Sequence, residues 1–271
     1  MTKETEFTYG LPCMLMGYVK EQGSVAEVRD AFCTQGMSFA ESTDGCGIGC
    51  DSLAASEAAL ETGAWEQAEL HAYKAYFKAK AAEQLGIMIS SKLVLDRLNL
   101  IQGSSSDRIL SNSTLKDEVI AANNPVLNTT FDLCGAYING CLGRVDSIPE
   151  WIRKGDIEKG NFLFQGTGFF YVVYGKCLLL GKKYIELDSL CESFSTFLKP
   201  FQYHLIRIYF MIYESVTKSY LESRPRGEEI LKEALKLAEK DHLIMPFAEN
   251  AGHVRLMLEA LLKREENPYI R

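Results

Sequence analysis

The 271-residue chain is short of what several large functional classes require. Basic residues are the minority, 29 Lys and Arg against 36 Asp and Glu, for a formal net charge of −7. A nonspecific nucleic-acid surface needs clustered cations to neutralise phosphates, so direct nucleic-acid binding by this chain is not expected. Long apolar runs are missing as well. The most apolar one, Phe169 to Leu180, is interrupted by Lys176 and falls short of the ~20 residues a membrane-spanning helix needs. The opening Met1-Thr2-Lys3-Glu4-Thr5-Glu6 lacks the basic-then-apolar order of a secretory signal, so the expected location is the cytoplasm and no membrane partner is expected. There is no H-E-x-x-H pair and no G-x-S-x-G elbow, and His71, His204, His242 and His253 lie far apart in sequence. An enzyme is therefore not the expected reading. Almost no stretch alternates apolar and polar residues as a half-buried strand would, which leaves an all-α protein.

Eight cysteines are present, and without a secretory signal they are expected as reduced thiols. Cys46 and Cys50 have C-x3-C spacing, but no second pair has zinc-finger spacing and no histidine lies near them in sequence. Cys134 and Cys141, seven apart, share a helix face where thiols behave as small hydrophobes. No metal and no cofactor is expected.

Gly63 through Tyr76 is the most informative positive signal. Gly63 suits the positive φ that ends a helix, Trp65 plugs the following angle, and Ala68, Ala72 and Ala75 let neighbouring backbones approach closely. This order is that of a tetratricopeptide-like helix hairpin. It recurs: Leu231, Ala234, Leu235 and Ala238 match Ala72, Ala75, Tyr76 and Ala79 at a constant offset. Gly181 to Tyr184 repeats the glycine-then-aromatic order after the buried run from Phe169.

Punctuation predicts helices from Pro12 to Lys20, from Ser24 (a capping box with Glu27) to about Phe39, and from Asp51 to Glu61. Further helices are expected over Trp65–Glu83, Ile87–Ile101, Asp107–Ala122, Asn128–Leu142, Phe201–Tyr220 and Pro246–Lys263. The fold expectation is TPR-like antiparallel hairpins stacked into a curved superhelix: N-terminal repeats over 1–143, an irregular bend over 144–168, and C-terminal repeats over 169–271.

Gly45-Cys46-Gly47-Ile48-Gly49 has the composition of a phosphate cradle, but no strand precedes it and no Lys-Ser or Lys-Thr follows, so a tight interhelical turn is the preferred reading. Asp132 and Asn139, seven apart on a glycine-bearing helix, share a face and are read as groove contacts. Polar or amphipathic groups on otherwise apolar helices add Glu57, Tyr73, Lys74, Trp151, Tyr171 and Lys176 to the candidate ligand contacts.

The chain resembles the helical-repeat sensor region of LuxR-type, MalT-like bacterial transcriptional regulators. The likeness rests on Thr43 through Gly49, Glu61 through Glu69, Tyr73-Lys74-Ala75, Phe131 through Cys134 with Tyr137 through Gly140, Ile148 through Trp151, and Tyr174-Gly175-Lys176. It continues through Leu231 to Glu239, Asp241, Leu243, Pro246-Phe247 and Glu249. The resemblance implies a non-enzymatic module that senses an inducer and relays it to flanking ATPase and DNA-binding domains. This chain shows neither a Walker lysine loop nor a basic recognition helix. The expected partners are a small-molecule or peptide inducer in an interhelical groove, and other domains of the regulator or a partner protein. The alternatives are a stand-alone scaffold that binds a partner peptide, and a thiol- or metal-dependent enzyme using Cys46 and Cys50.

Overall fold

Several helix ends in this chain are set by left-handed backbone positions. Gly49 (φ +103°) precedes one helix and Gly63 (φ +81°) follows it, while Glu83, Asn123, Lys182 and His242 adopt the same region between others. A side chain at Gly63 would be strained by its φ, and its Cβ would press the tip of the exposed Ile244, 2.8 Å from Cδ1.

A computed structural model describes residues 11–103, 113–161, 166–198, 203–264 and 269. Among the described residues the regular structure is all helical, and the helices run in the following order. They are α1 (Met14–Tyr18), α2 (Val25–Ser42), α3 (Cys50–Glu61), α4 (Trp65–Ala81), α5 (Leu85–Ile101), α6 (Ser113–Ala122) and α7 (Pro125–Cys141). Then come α8 (Glu150–Arg153), α9 (Thr167–Leu180), α10 (Tyr184–Leu198), α11 (His204–Leu221), α12 (Arg224–Glu239), α13 (Met245–Ala248) and α14 (Ala251–Arg264). No described helix is long and apolar enough to cross a membrane.

Several boundaries differ from the sequence reading. Ser24 makes no capping bond; its hydroxyl donates to the Glu21 carbonyl instead. Gly49 rather than Asp51 stands at the N-cap of α3. Pro125 opens α7 instead of only ending its predecessor, because Asn124 accepts from the Val126 and Leu127 amides and proline needs no amide partner in a first turn. The predicted last helix divides into α13 and α14. Residues 104–112, 162–165, 199–202 and 265–268, where parts of the predicted α6, the bend, α11 and the last helix's charged end fall, lie outside the described residues.

The periodic alanines behave as expected. Ala68, Ala72, Ala75 and Ala79 are fully buried where α4 packs on α3 and α5, and Leu231, Ala234 and Ala238 are buried likewise on α12. Gly45, Gly47 and Gly49 form the tight turn, and Gly47 N donates to Gln84 Oε1 at 2.9 Å.

Packing runs in two registers. Chain neighbours pair, as in α3 with α4 and α11 with α12, while alternate helices form a second series: α3 on α5, α5 on α7, α7 on α9, α9 on α11 and α11 on α13. That series returns on itself, since α13 packs on α3 and Ile244 N donates to the Glu61 carbonyl at 2.7 Å. The segment Leu11–Val19, including α1, is buried against α3, α9 and α11. The interior that curvature was expected to leave open thus holds the chain's own N-terminal segment. Residues 144–160 form two short 3-10 turns around α8, which packs on α9.

Candidate functional site

The sequence-derived candidates divide between a buried polar centre, an aromatic layer and the exposed surface. Glu57 on α3 is buried and accepts from Met14 N (3.0 Å), Leu15 N (2.8 Å) and the Cys13 thiol, which fastens the first turn of α1. Burial pushes its carboxyl up to about 7 in spite of those donors. Lys176 on α9 donates from Nζ to Asn250 Oδ1 (2.7 Å) and to the Glu249 carbonyl (2.9 Å). Its stem passes Gly140, where a Cβ would stand 3.2 Å from Lys176 Cγ, so that helix glycine makes room for a lysine. Asn139 is 9% exposed and donates to the Gly135 carbonyl of its own helix.

Asp132 is exposed, so its heptad spacing from Asn139 does not create a shared groove; burial follows what packs alongside each turn, which spacing does not specify. Tyr73 and Lys74 are exposed on α4. Trp151 stacks on Phe170 at 5.8 Å between centroids, and Tyr171 meets Phe194 edge-on at 5.5 Å, so both are half-buried packing groups. The eight do not converge.

The hub of the polar centre is Arg97, which the sequence reading missed. Its guanidinium is about 2% exposed, with Nε 2.7 Å from Glu249 Oε1 and Nη2 2.8 Å from Glu61 Oε1. Glu249 Oε2 accepts from Tyr209 Oη (2.7 Å), Arg97 Nη2 (3.2 Å) and Tyr137 Oη. Burial alone would raise the Glu249 carboxyl, but Arg97 and the two hydroxyls together hold it below its ordinary value. Burial prevails at Glu61, whose carboxyl is raised and whose oxygens lack aligned hydrogen bonds despite the close guanidinium. A lone arginine within the largely apolar α5 was the available signal. The side chains of this centre are almost fully covered, and their bonds tie α3, α5, α7 and α11 to the junction of α13 and α14.

Of the C-x3-C pair, Cys50 is buried in the structure and Cys46 is half-buried. Burial pushes the Cys50 thiol up to about 11 and Cys141 up to about 12, which disfavours the nucleophilic thiolate. Among the described residues no group of three or more His, Cys, Asp or Glu is arranged to hold a metal.

A concave site does exist at the side of the molecule. A cleft of about 800 Å³ lies between α10 and α12 with α11 as its floor, and the stretch Lys20–Gln22 crosses one end. Phe194 and Phe210 stack at its base with centroids 3.6 Å apart, flanked by Cys191 and Met211. One face of α11 then presents His204, Arg207, Phe210 and Glu214 in succession, and α12 adds Glu233 and Leu237. Burial raises the Glu214 carboxyl and lowers the His204 imidazole. None of the eight candidates lines this cleft, although Tyr171 packs behind Phe194. In sequence this stretch reads only as a long aromatic helix, and nothing local to it marks which of its faces borders a cleft.

The crossing stretch is bonded on both sides. Val19 O accepts from His204 N (3.0 Å), Gln22 Nε2 donates to the Lys236 carbonyl (2.7 Å), and Asp241 accepts from Gly23 N (2.6 Å) and Val25 N (3.0 Å). His204 Nε2 lies 3.7 Å from Asp241 Oδ2. One end of the cleft is therefore a clasp that joins the N-terminal segment to α11 and α12.

No protein-family model matches this chain, and neither a curated protein nor a solved structure matches it. Among the described residues the fold is all helical, with chain neighbours paired and alternate helices packed in series, and it carries a cleft of mixed polarity over α11.

Proposed function

We propose that this chain is a cytoplasmic, non-enzymatic sensing module of the helical-repeat kind, similar to the sensor regions of LuxR-type, MalT-like regulators, and that its small ligand binds the cleft over α11. The observation that carries this reading is the cleft itself: about 800 Å³, an aromatic base and ionisable walls, within the size range of small-molecule sites. The TPR-like relationship is supported by the recurring glycine, aromatic and alanine order and by the alternate packing of helices. Ligand bound there touches α11, α12 and the clasp at once, so it biases how firmly Leu11–Val25 is held, a population shift that adjoining domains can read.

Thermal-shift and calorimetric screening of the full chain against amino acids, short peptides and sugars tests the reading. Ser195 is exposed on the wall of the cleft, and Ser195→Trp is expected to abolish binding while leaving helicity unchanged. Binding that survives in this variant would move the site elsewhere.

A partner-binding role is favoured by a separate observation. Leu70, Tyr73 and Phe77 are 47%, 46% and 63% exposed along one face of α4. Three large apolar groups at helical spacing fit a docking stripe for a partner protein. A Leu70→Glu, Phe77→Glu double variant that leaves every association of the chain unchanged would remove this second reading.

A further inference from the structure

The clasp borders a second concavity. Lys20–Gln22 line the α11 cleft, while Gly23, Val25 and Asp241 line a separate groove of about 600 Å³. Its other lining residues come from α2, α3, the first half of α4 and the turn that follows α12. The walls are small side chains: Ala26 of α2, Ala55, Ala58 and Ala59 of α3, and Ala64 just before α4. No Phe, Tyr or Trp lines it among the described residues, so it lacks the aromatic platform on which a nucleobase stacks.

The polar lining is weighted toward cations and donors on a chain whose net charge is −7. Arg29, Lys240, His71, His242 and Gln67 all line the groove, and Asp241 is the single carboxylate among the described residues that do. That carboxylate is already engaged. It is buried, with Oδ2 accepting from Gly23 N and Oδ1 from Val25 N. Arg29 pairs with its chain neighbour Asp30 at 2.8 Å, an exposed pair of the kind that contributes little. Lys240 makes no ion pair among the described residues, and its stem passes Gly23, where a Cβ would stand 3.8 Å from Lys240 Cδ. Two cations and two imidazoles therefore share a concave, small-walled site whose own acid is spent on the backbone.

We propose that this groove binds a compact phosphate monoester, its phosphate held by Arg29 and Lys240 and its organic part lying along the alanine walls. A phosphate monoester carries about −1.5 to −2 charges at neutral pH and three strong acceptor oxygens, so it answers two cations and leaves acceptors for His71, His242 or Gln67. A carboxylate offers one charge and two oxygens. Arg29 belongs to α2 and Lys240 to the turn after α12, so one phosphate held by both ties together the same two parts of the chain that Asp241 joins. Binding thus tightens the clasp. The site is separate from the α11 cleft and stands whether or not that cleft senses a ligand.

Calorimetry with the full chain and glycerol phosphate, inorganic phosphate, glycerol and succinate tests the site. Both phosphates are expected to bind and glycerol is not. Arg29→Ala and Lys240→Ala are each expected to weaken glycerol phosphate about tenfold, as the loss of one charge-assisted hydrogen bond does. Their circular dichroism is expected to match the parent chain, because both side chains reach solvent. Ser195→Trp, in the α11 cleft, is expected to bind glycerol phosphate as the parent does. Hydrogen exchange in residues 23–26 and 240–244 is expected to slow when the ester is bound. Absence of binding by both phosphates overturns the proposal, and so does binding that Arg29→Ala and Lys240→Ala both retain at full strength. Glycerol or succinate binding as tightly as glycerol phosphate overturns the ligand class. Phosphate binding lost in Ser195→Trp moves the ester to the α11 cleft and overturns this site, and binding with unchanged exchange overturns the tightening of the clasp.

Discussion

Arg97 shows why a buried ion pair is better judged by what its loss exposes than by its own strength. Pairing of Arg97 with Glu249 and Glu61 offsets the large desolvation penalties of all three. Removing only the cation leaves two buried carboxyls without a counter-charge. Arg97→Met is therefore expected to destabilise the chain by about 3–5 kcal/mol, measured by urea unfolding. An Arg97→Met, Glu249→Leu double variant should recover part of that loss, since no unpaired charge then remains at Glu249. At Glu57 the folded carboxyl sits at about 7 against an ordinary 4.5, so the folded state holds the extra proton between those values. Stability from this group is then fully present below pH 4.5 and is lost as pH rises toward 7. Glu57→Gln should flatten that slope, and it should lower stability at pH 5 by about 1–3 kcal/mol because one of the Met14 and Leu15 amides loses its acceptor. Asp96, pushed by burial to about 6, adds a slope of the same sign that the variant leaves in place.

At the scale of the element, most of the fold was legible. Helix identity followed from apolar spacing and from turn residues, because both act within a few positions of chain. Gly63 and the alanines of α4 are where local sequence and packing agree. Boundaries slipped where a side chain had two possible uses: Ser24 bonds back to Glu21 rather than forward, and Pro125 starts a helix it was read as separating. Gly227 illustrates a demand that local reading does not reveal. It sits in α12 beside α11, and a Cβ there would lie 2.4 Å from the Ser215 carbonyl oxygen, against backbone that cannot swing away. Gly227→Ala would gain helix propensity in isolation, yet it is expected to destabilise the protein by about 1–3 kcal/mol through overpacking. A thermal melt showing increased stability would refute the close approach of α11 and α12.

Over the whole molecule, the clasp and the return of α13 to α3 each include a single acceptor that joins distant parts of the chain. Asp241 alone receives Gly23 N and Val25 N, and Glu61 O receives Ile244 N. Asp241→Ala strips two amides of their acceptor, so hydrogen exchange in residues 19–25 should accelerate while exchange in α5 and α7 stays unchanged. Uniform acceleration across the chain would mean that the clasp belongs to the global core instead. The candidate site was the least legible part. Of the eight residues read from sequence, Glu57, Asn139 and Lys176 sit in the interior, Trp151 and Tyr171 in aromatic packing, and Tyr73, Lys74 and Asp132 outside. By itself the sequence determined the all-helical class, most of the helices and the pairing of chain neighbours, since these depend on contacts a few residues apart and on a 3.6-residue period. Only the tertiary structure decided that α13 returns to α3, that Leu11–Val19 fills the middle, and that α10, α11 and α12 part into a cleft. Those outcomes depend on small packing angles accumulated over successive helices, and no local stretch of sequence encodes that sum.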